Sequence, residues 1–432
     1  MTLDPQIMKA VERLDYRVTV GDVATQAGLE LNLAEKGLLA LASEAGGHLQ
    51  VAESGDVVYL FPQEFRSILR NKYLRLQLQE WWEKIWRVLF YLIRISFGIV
   101  LIASILLILI AILIIVIASS ANRDGDNDSG GSISMPNVWI TPDFFWLFSP
   151  NYYDDRPYES RRRRSDEKPS MNFLESVFSF LFGDGNPNAD LEERRWRAIG
   201  TVIRNNRGAV VAEQIAPYLD ELGQGYALEY EEYMLPVLTR FNGRPEVTPE
   251  GGLVYQFPEL QTTAIEQRFA PVTAYLKEFP RRFSKASSGQ ILGAIGLGAV
   301  NLVGALTLGN LLAGGRAAAE LGGLVAFVQS IYWILLGYGV GFLVIPLIRY
   351  FWVQWRNQRI EARNRDRQER AIQLNEADAA LKLKMAYADQ FAAEHYISED
   401  DLAYTTERDL IEQDIEQADK IDAEWQRRLE ER

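Results

Sequence analysis

The chain has 432 residues, a net charge of −13 and no cysteine. The missing cysteines exclude disulfides, thiolate zinc sites, thiol catalysis and Cys-ligated iron–sulfur clusters. The acid surplus opposes nucleic-acid binding wherever no local basic patch overrides it.

Residues 1–66 read as a small α+β module. Helical runs at Ile7–Leu14, Val20–Gly28 and Leu31–Ala45 precede β runs at His48–Ala52 and Asp56–Phe61, with a turn signal at Glu53-Ser54-Gly55. Three helices followed by a hairpin is the order of a winged helix. The start of the module lacks the apolar run of a cleavable secretory signal.

Residues 67–94 form a basic, Trp-rich amphipathic helix, with Trp81, Trp82 and Trp86 where an interfacial aromatic belt would stand. It should continue into the organising stretch of the chain, residues 95–119. Ile95–Ser119 carries no charge and is long enough to cross a bilayer core of roughly 30 Å as a helix.

Residues 120–171 read as a linker. Arg123–Ser134 is rich in Asp, Asn, Gly and Ser, and Trp139–Tyr153 is aromatic and interrupted by Pro142 and Pro150. Arg161, Arg162, Arg163 and Arg164 form a basic run that would suit anionic lipid or an acidic partner.

Residues 172–260 hold a short apolar segment and a second module with the order of the first. The module endings match: Gly55-Asp-Val-Val-Tyr59-Leu-Phe61-Pro62 against Gly251-Gly-Leu-Val-Tyr255-Gln-Phe257-Pro258. This suggests an internal duplication, with Leu228–Phe241 as the third helix of the second copy. A connecting helix is expected over 261–290.

Residues 291–312 and 324–348 are the second and third expected membrane helices. Both are crowded with glycine, and small residues let helix backbones approach closely. Gly293, Gly337 and Gly341 are the candidate helix-packing positions, the last two forming a Gly-x-x-x-Gly pattern. Residues 349–432 read as a charged helical tail with weak heptads, leaving oligomerisation or partner pairing open.

The chemistry-bearing residues form no constellation in the sequence. His48 and His395 are the only histidines, and neither has acidic companions at metal-ligand spacing. No P-loop and no Ser/His/Asp grouping is visible, so no catalytic residue, cofactor or metal is assigned. Residues 1–66 carry five basic and ten acidic side chains, and residues 191–260 carry seven and eleven. Such modules suit protein partners better than phosphates.

Phe173–Asn188, FLESVFSFLFGDGNPN, followed by Leu191-Glu-Glu-Arg-Arg-Trp196, resembles a segment of a family of uncharacterised membrane proteins of cyanobacteria and chloroplasts. The arrangement of paired soluble modules and membrane helices resembles that family as well. Some plant relatives carry an iron–sulfur cluster biosynthesis label, which a chain without cysteine does not support. The resemblance implies a photosynthetic membrane, thylakoid or plasma membrane, and lends no site residues.

The expected architecture is therefore α+β with about three transmembrane helices, two winged-helix-like modules and a long helical tail. The expected function is a membrane-anchored interaction scaffold or assembly factor, bound to lipid and to a membrane complex or soluble protein, without nucleic acid. A membrane-tethered transcriptional regulator and a transporter or channel accessory are the alternatives. Basic flanks stand before the first and second membrane helices and after the third. The positive-inside rule thus places both modules and the tail in the cytoplasm, which one helix between the modules cannot satisfy. Either the chain re-enters near Trp139–Tyr153 or Phe173–Phe182, or Val88–Ser119 bends into a hairpin, or one module lies outside; a partial re-entry is the expectation.

Overall fold

The structure, a computed structural model, describes residues 4–72, 74–121, 171–264, 270–313, 316–399 and 401–409, with scattered positions beyond. The linker motifs, including Trp139–Tyr153 and Arg161–Arg164, lie outside the described residues.

In chain order, α1 (Pro5–Arg13), β1 (Arg17–Val18), α2 (Val20–Ala27), α3 (Leu31–Ala45), β2 (His48–Ala52) and β3 (Val57–Leu60) form the first α+β module. α4 (Phe65–Lys72) and the long α5 (Leu74–Ala121) follow, then α6 (Phe173–Phe182). The second module contains α7 (Leu191–Asn205), β4 (Ala209–Val210), α8 (Ala212–Ile215), α9 (Tyr226–Glu229), α10 (Leu235–Phe241), β5 (Arg244–Val247), β6 (Leu253–Gln256) and β7 (Thr262–Thr263). Then come α11 (Ser288–Leu312), α12 (Arg316–Leu321), α13 (Gly323–Asn375), α14 (Ala379–Ala388), β8 (His395–Tyr396) and β9 (Leu402–Thr405).

The chain divides into two units. The first gathers residues 1–79, 187–279 and 359–432. Its two modules share one hydrophobic core, in which Val11, Leu38 and Leu41 meet Ile199, Phe241 and Phe257. Their sheets are built alike. β3 lies between β1 and β2, as β6 lies between β4 and β5. Val18 pairs with Tyr59 and Val210 with Tyr255, so the matched sequence endings occupy the same place in each ladder. Both tyrosines are buried there, with Phe61 and Phe257.

Local chemistry sets these elements. α2 begins with a capping box between Thr19 and Asp22 and ends at Gly28, whose φ of 68° only glycine adopts without strain. A Cβ at Gly28 would also come 3.0 Å from the carbonyl of Glu193 on α7, so the residue serves turn and close approach together.

Three expectations are corrected in this unit. The third helix of the second module is broken into α9, a 3-10 turn at Glu232–Met234 and α10, because Pro236 has no N–H to continue a helix and instead opens α10. No helix forms between β7 and α11 among the described residues. Pro271 and Pro280 interrupt that stretch, and its backbone groups are taken by side chains instead. The tail is not helical throughout. Beyond α14 it returns as β8, parallel to β7, and as β9, which pairs antiparallel with β2.

The second unit gathers residues 80–186 and 280–358. Among the described residues, three helices are long and apolar enough to cross a membrane: Lys84–Ser120, Ser288–Leu312 and Gly323–Asn375. The first is continuous with its Trp-rich start, since α5 runs unbroken from Leu74. Ile108, Ala111 and Ile115 of α5 pack with Ala305 and Leu308 of α11 and Val325 and Val328 of α13. A second cluster joins Leu101 and Ile105 to Leu297, Phe342 and the α6 residues Val177, Phe180 and Leu181.

Candidate functional site

Within the first unit, the two modules are pinned at Asp22, which is fully buried. One of its carboxylate oxygens accepts from the N–H groups of Thr19 at 2.8 Å and Ala264 at 3.1 Å. The other accepts from the Thr263 hydroxyl at 2.9 Å and from the Arg204 guanidinium. A helix cap has thus become the polar centre of a module interface. Arg17 adds a second tie, donating to the carbonyls of Ala264 at 2.9 Å and Ile397 at 2.8 Å.

The stretch following β7 is held by asparagines that read its backbone. Asn364 accepts from the N–H of Glu278 and donates to its carbonyl, both at 2.9 Å. Asn188 does the same to Phe279, at 2.8 Å in each direction. In the second unit, Asn357 grips Arg281 by the same device, at 2.8 and 2.9 Å.

Arg367 is 1% exposed and lies between two carboxylates. It donates to Asp220, to Glu278 at 2.9 Å and to the Leu276 carbonyl at 2.8 Å. Arg363 completes the cluster with two bonds to Glu278, at 2.7 and 2.6 Å. Burial alone would raise both carboxyl pKa values. Hydrogen bonds and charge from Arg363, Arg367 and Arg195 outweigh it, and both Asp220 and Glu278 titrate below their ordinary range.

A cleft of about 810 Å³ opens between the second module and α14. Lys384 stands in it, bonded to Glu213 at 3.0 Å and Glu231 at 2.7 Å. Tyr255 donates to Glu231 at 2.8 Å, and burial followed by that hydrogen bond raises its phenol pKa. The ammonium is thus shared by two carboxylates, one of which also accepts from the phenol. The cleft keeps an acidic rim at Glu250, Glu376 and Asp378.

In the second unit, Asn301 of α11 donates to the Ser104 hydroxyl of α5, and both are buried. Uncharged polar pairs of this kind tie apolar helices together. At the end of the bundle carrying the basic flanks, Asp184 accepts from Arg94 at 3.0 Å, from Ser179 and from the Lys285 N–H at 2.7 Å. Arg349 donates to the Phe180 and Ser179 carbonyls at 2.8 and 3.2 Å, where the α6 dipole favours a cation. From sequence Asp184 reads as a turn residue. Its role as an ion-pair centre depends on Arg94, ninety positions away, and leaves no local signal.

The close helix approaches occur at glycines beyond the three singled out from sequence. A Cβ at Gly298 would collide with Phe342 and Leu343, and one at Gly339 would come 3.0 Å from Asn301. Gly309 faces the Tyr332 ring and Gly304 faces Ile108. Gly337 meets nothing within 4 Å, and Gly341 meets only Ile345 of its own helix. Gly293 is half-buried on α11. His48 lies in β2 opposite Leu60, and His395 lies in β8 opposite Thr262. Among the described residues, no three His, Asp or Glu side chains are grouped to hold a metal ion.

No family model matches the chain, and no solved structure matches it. It is 40% identical, over 438 aligned residues, to an uncharacterised chloroplastic protein of Arabidopsis thaliana, covering 98% of this chain and 82% of the plant protein. A chloroplast membrane location is compatible with that relative and with the three apolar helices. Similarity of this extent spans both units, and the chain belongs to the family of that uncharacterised chloroplastic protein.

Proposed function

We propose that this protein is a membrane-anchored interaction scaffold or assembly factor of a photosynthetic membrane. Its two α+β modules are winged-helix modules related by duplication, turned to protein recognition. Their common strand order and register support the duplication.

One observation carries the interaction role. Tyr226, Tyr230 and Leu235 of the soluble unit are 67%, 53% and 60% exposed, and the two tyrosine rings lie 4.1 Å apart. Large apolar side chains left exposed, two of them here side by side, mark sites that another protein covers. Glu229 and Glu232 flank them, so the fitting partner presents an apolar patch edged with basic groups. DNA is disfavoured on the first module. Its β2 edge, where a wing would approach a duplex, is already paired with β9.

The test is affinity purification from gently solubilised membranes, comparing the native chain with the Tyr226→Ser, Tyr230→Ser, Leu235→Ser triple variant. A protein retained by the first and lost by the second supports the reading. Identical partner sets, with the variant equally stable, refute it.

A further inference from the structure

At the basic end of the second unit, Arg94 and Arg349 are satisfied by the protein itself. Arg94 has Asp184, and Arg349 has the Phe180 and Ser179 carbonyls. Arg281 and Arg356 differ. Their guanidinium carbons stand 5.3 and 5.6 Å from the centroid of one ring, that of Trp352 on α13. Among the described residues, neither guanidinium has a carboxylate partner. Burial, and then the charge of Arg356, hold the Arg281 pKa below its ordinary range.

The two like charges cannot simply drift apart. The Asn357 side chain bonds the Arg281 backbone in both directions. Trp352 and Arg356 lie four residues apart on one face of α13. Arginine is also the cation that stacks on an aromatic face while pairing its N–H groups with phosphate oxygens. Two guanidiniums held at one ring, with their donors open to solvent, suit a shared anion.

The same helix face continues as apolar surface. Ile345, Ile348 and Trp352 follow one another at spacings of three and four residues, and all three are exposed. With Arg356 the stripe covers about three helical turns. It belongs to a helix apolar enough to cross a membrane, and Trp is the residue that favours the boundary between hydrocarbon and water. Charge at one end and exposed hydrocarbon along the rest is the pattern of an amphiphile's binding site.

We infer that Arg281, Arg356 and Trp352 form a binding site for an anionic membrane lipid. The two guanidiniums hold its phosphate headgroup, and an acyl chain lies along Ile348 and Ile345. The inference rests on the membrane reading of α11 and α13. A free phosphate ion would satisfy the arginines but leave the apolar stripe uncovered, so the occupant is a lipid.

The full-length protein in detergent is offered equal amounts of phosphatidylglycerol and phosphatidylcholine, and retained lipids are counted by native mass spectrometry. The native chain should retain phosphatidylglycerol in preference, and excess inorganic phosphate should leave it in place. The Arg281→Gln, Arg356→Gln variant should lose one phosphatidylglycerol, and Arg356→Gln alone should weaken its retention several-fold. The Arg87→Gln, Arg282→Gln variant removes the same charge from exposed arginines outside the Trp352 pair and should keep the lipid. Equal retention of the two lipids by the native chain refutes the site, whatever the variants do. Equal loss in both double variants shows diffuse attraction and refutes it as well, and displacement by inorganic phosphate overturns the lipid assignment. If the native chain retains neither lipid and stays dissolved once detergent is removed, the membrane reading itself fails and the inference falls with it.

Discussion

The side chain of Asn364 forms a two-way bond with the backbone of Glu278, accepting from its N–H and donating to its carbonyl, both at 2.9 Å. A single amide thereby does what a neighbouring strand would do for an otherwise unpaired segment. Asn364→Ala removes both partners at once. An unsatisfied buried polar group costs about 1–3 kcal/mol. Thermal unfolding of the detergent-solubilised protein, followed by tryptophan fluorescence, should show a lowered midpoint, while Asn364→Asp keeps the acceptor and loses less.

Asp22 sets a larger effect. It is fully buried with Arg204 beside it, and breaking a buried pair from one side costs about 3–5 kcal/mol. Asp22→Ala should therefore lower the unfolding midpoint more than Asn364→Ala does. The double variant Asp22→Ala, Arg204→Met should recover part of the loss, because it removes the stranded charge.

Acid should loosen the first unit. Asp220 and Glu278 both have folded pKa values below their unfolded ones, through hydrogen bonds and charge from the arginines around them. Their contribution is fully present above the ordinary carboxylate range, about pH 4, and is lost as pH falls through the lowered folded values. Unfolding midpoints taken from pH 7 downward should fall most steeply below about pH 4. In Arg367→Met that dependence should shrink, since the shared cation is gone.

The glycines of the bundle separate two kinds of contact. Gly298→Leu forces a side chain against Phe342 and Leu343 and should destabilise the chain itself. Gly337→Leu has open space before it and should leave the isolated chain intact. If the Gly337 face meets another membrane protein, replacing Gly337 and Gly341 by leucine reduces complex size on a native gel while thermal stability in detergent holds. An unchanged complex shows that these glycines face lipid.

Purified full-length protein in detergent should give no band shift with duplex DNA at low salt, where non-specific binding is strongest. A shift there would overturn the interaction-module reading.

Residues whose partners lie close in sequence were the legible ones. The uncharged run of α5 and the hairpin turns announced themselves, because a helix period or a turn signal needs only a few neighbours. The repeated Val-Tyr-x-Phe-Pro endings put Tyr59 opposite Val18 and Tyr255 opposite Val210 in their ladders. The Asp22 junction was not legible. Asp22 reads as an ordinary capping residue until Arg204 and Thr263 arrive from a distant stretch. The expected helix over 261–290 gave way because Asn188 and Asn364 supply its backbone partners from outside. The helical tail ends in strands because a free sheet edge waits at β2.

That edge has a consequence for synthesis. Leu49 donates its N–H to the Thr406 hydroxyl across 357 positions, so the outer strand of the first sheet is translated long after its partner. Until then β2 offers unpaired backbone to any neighbouring chain, the usual route to misassembly. Closure of the sheet must wait until every intervening helix has been made. A chain cut short before Leu402 keeps that edge open, and β9 is the stitch that closes it.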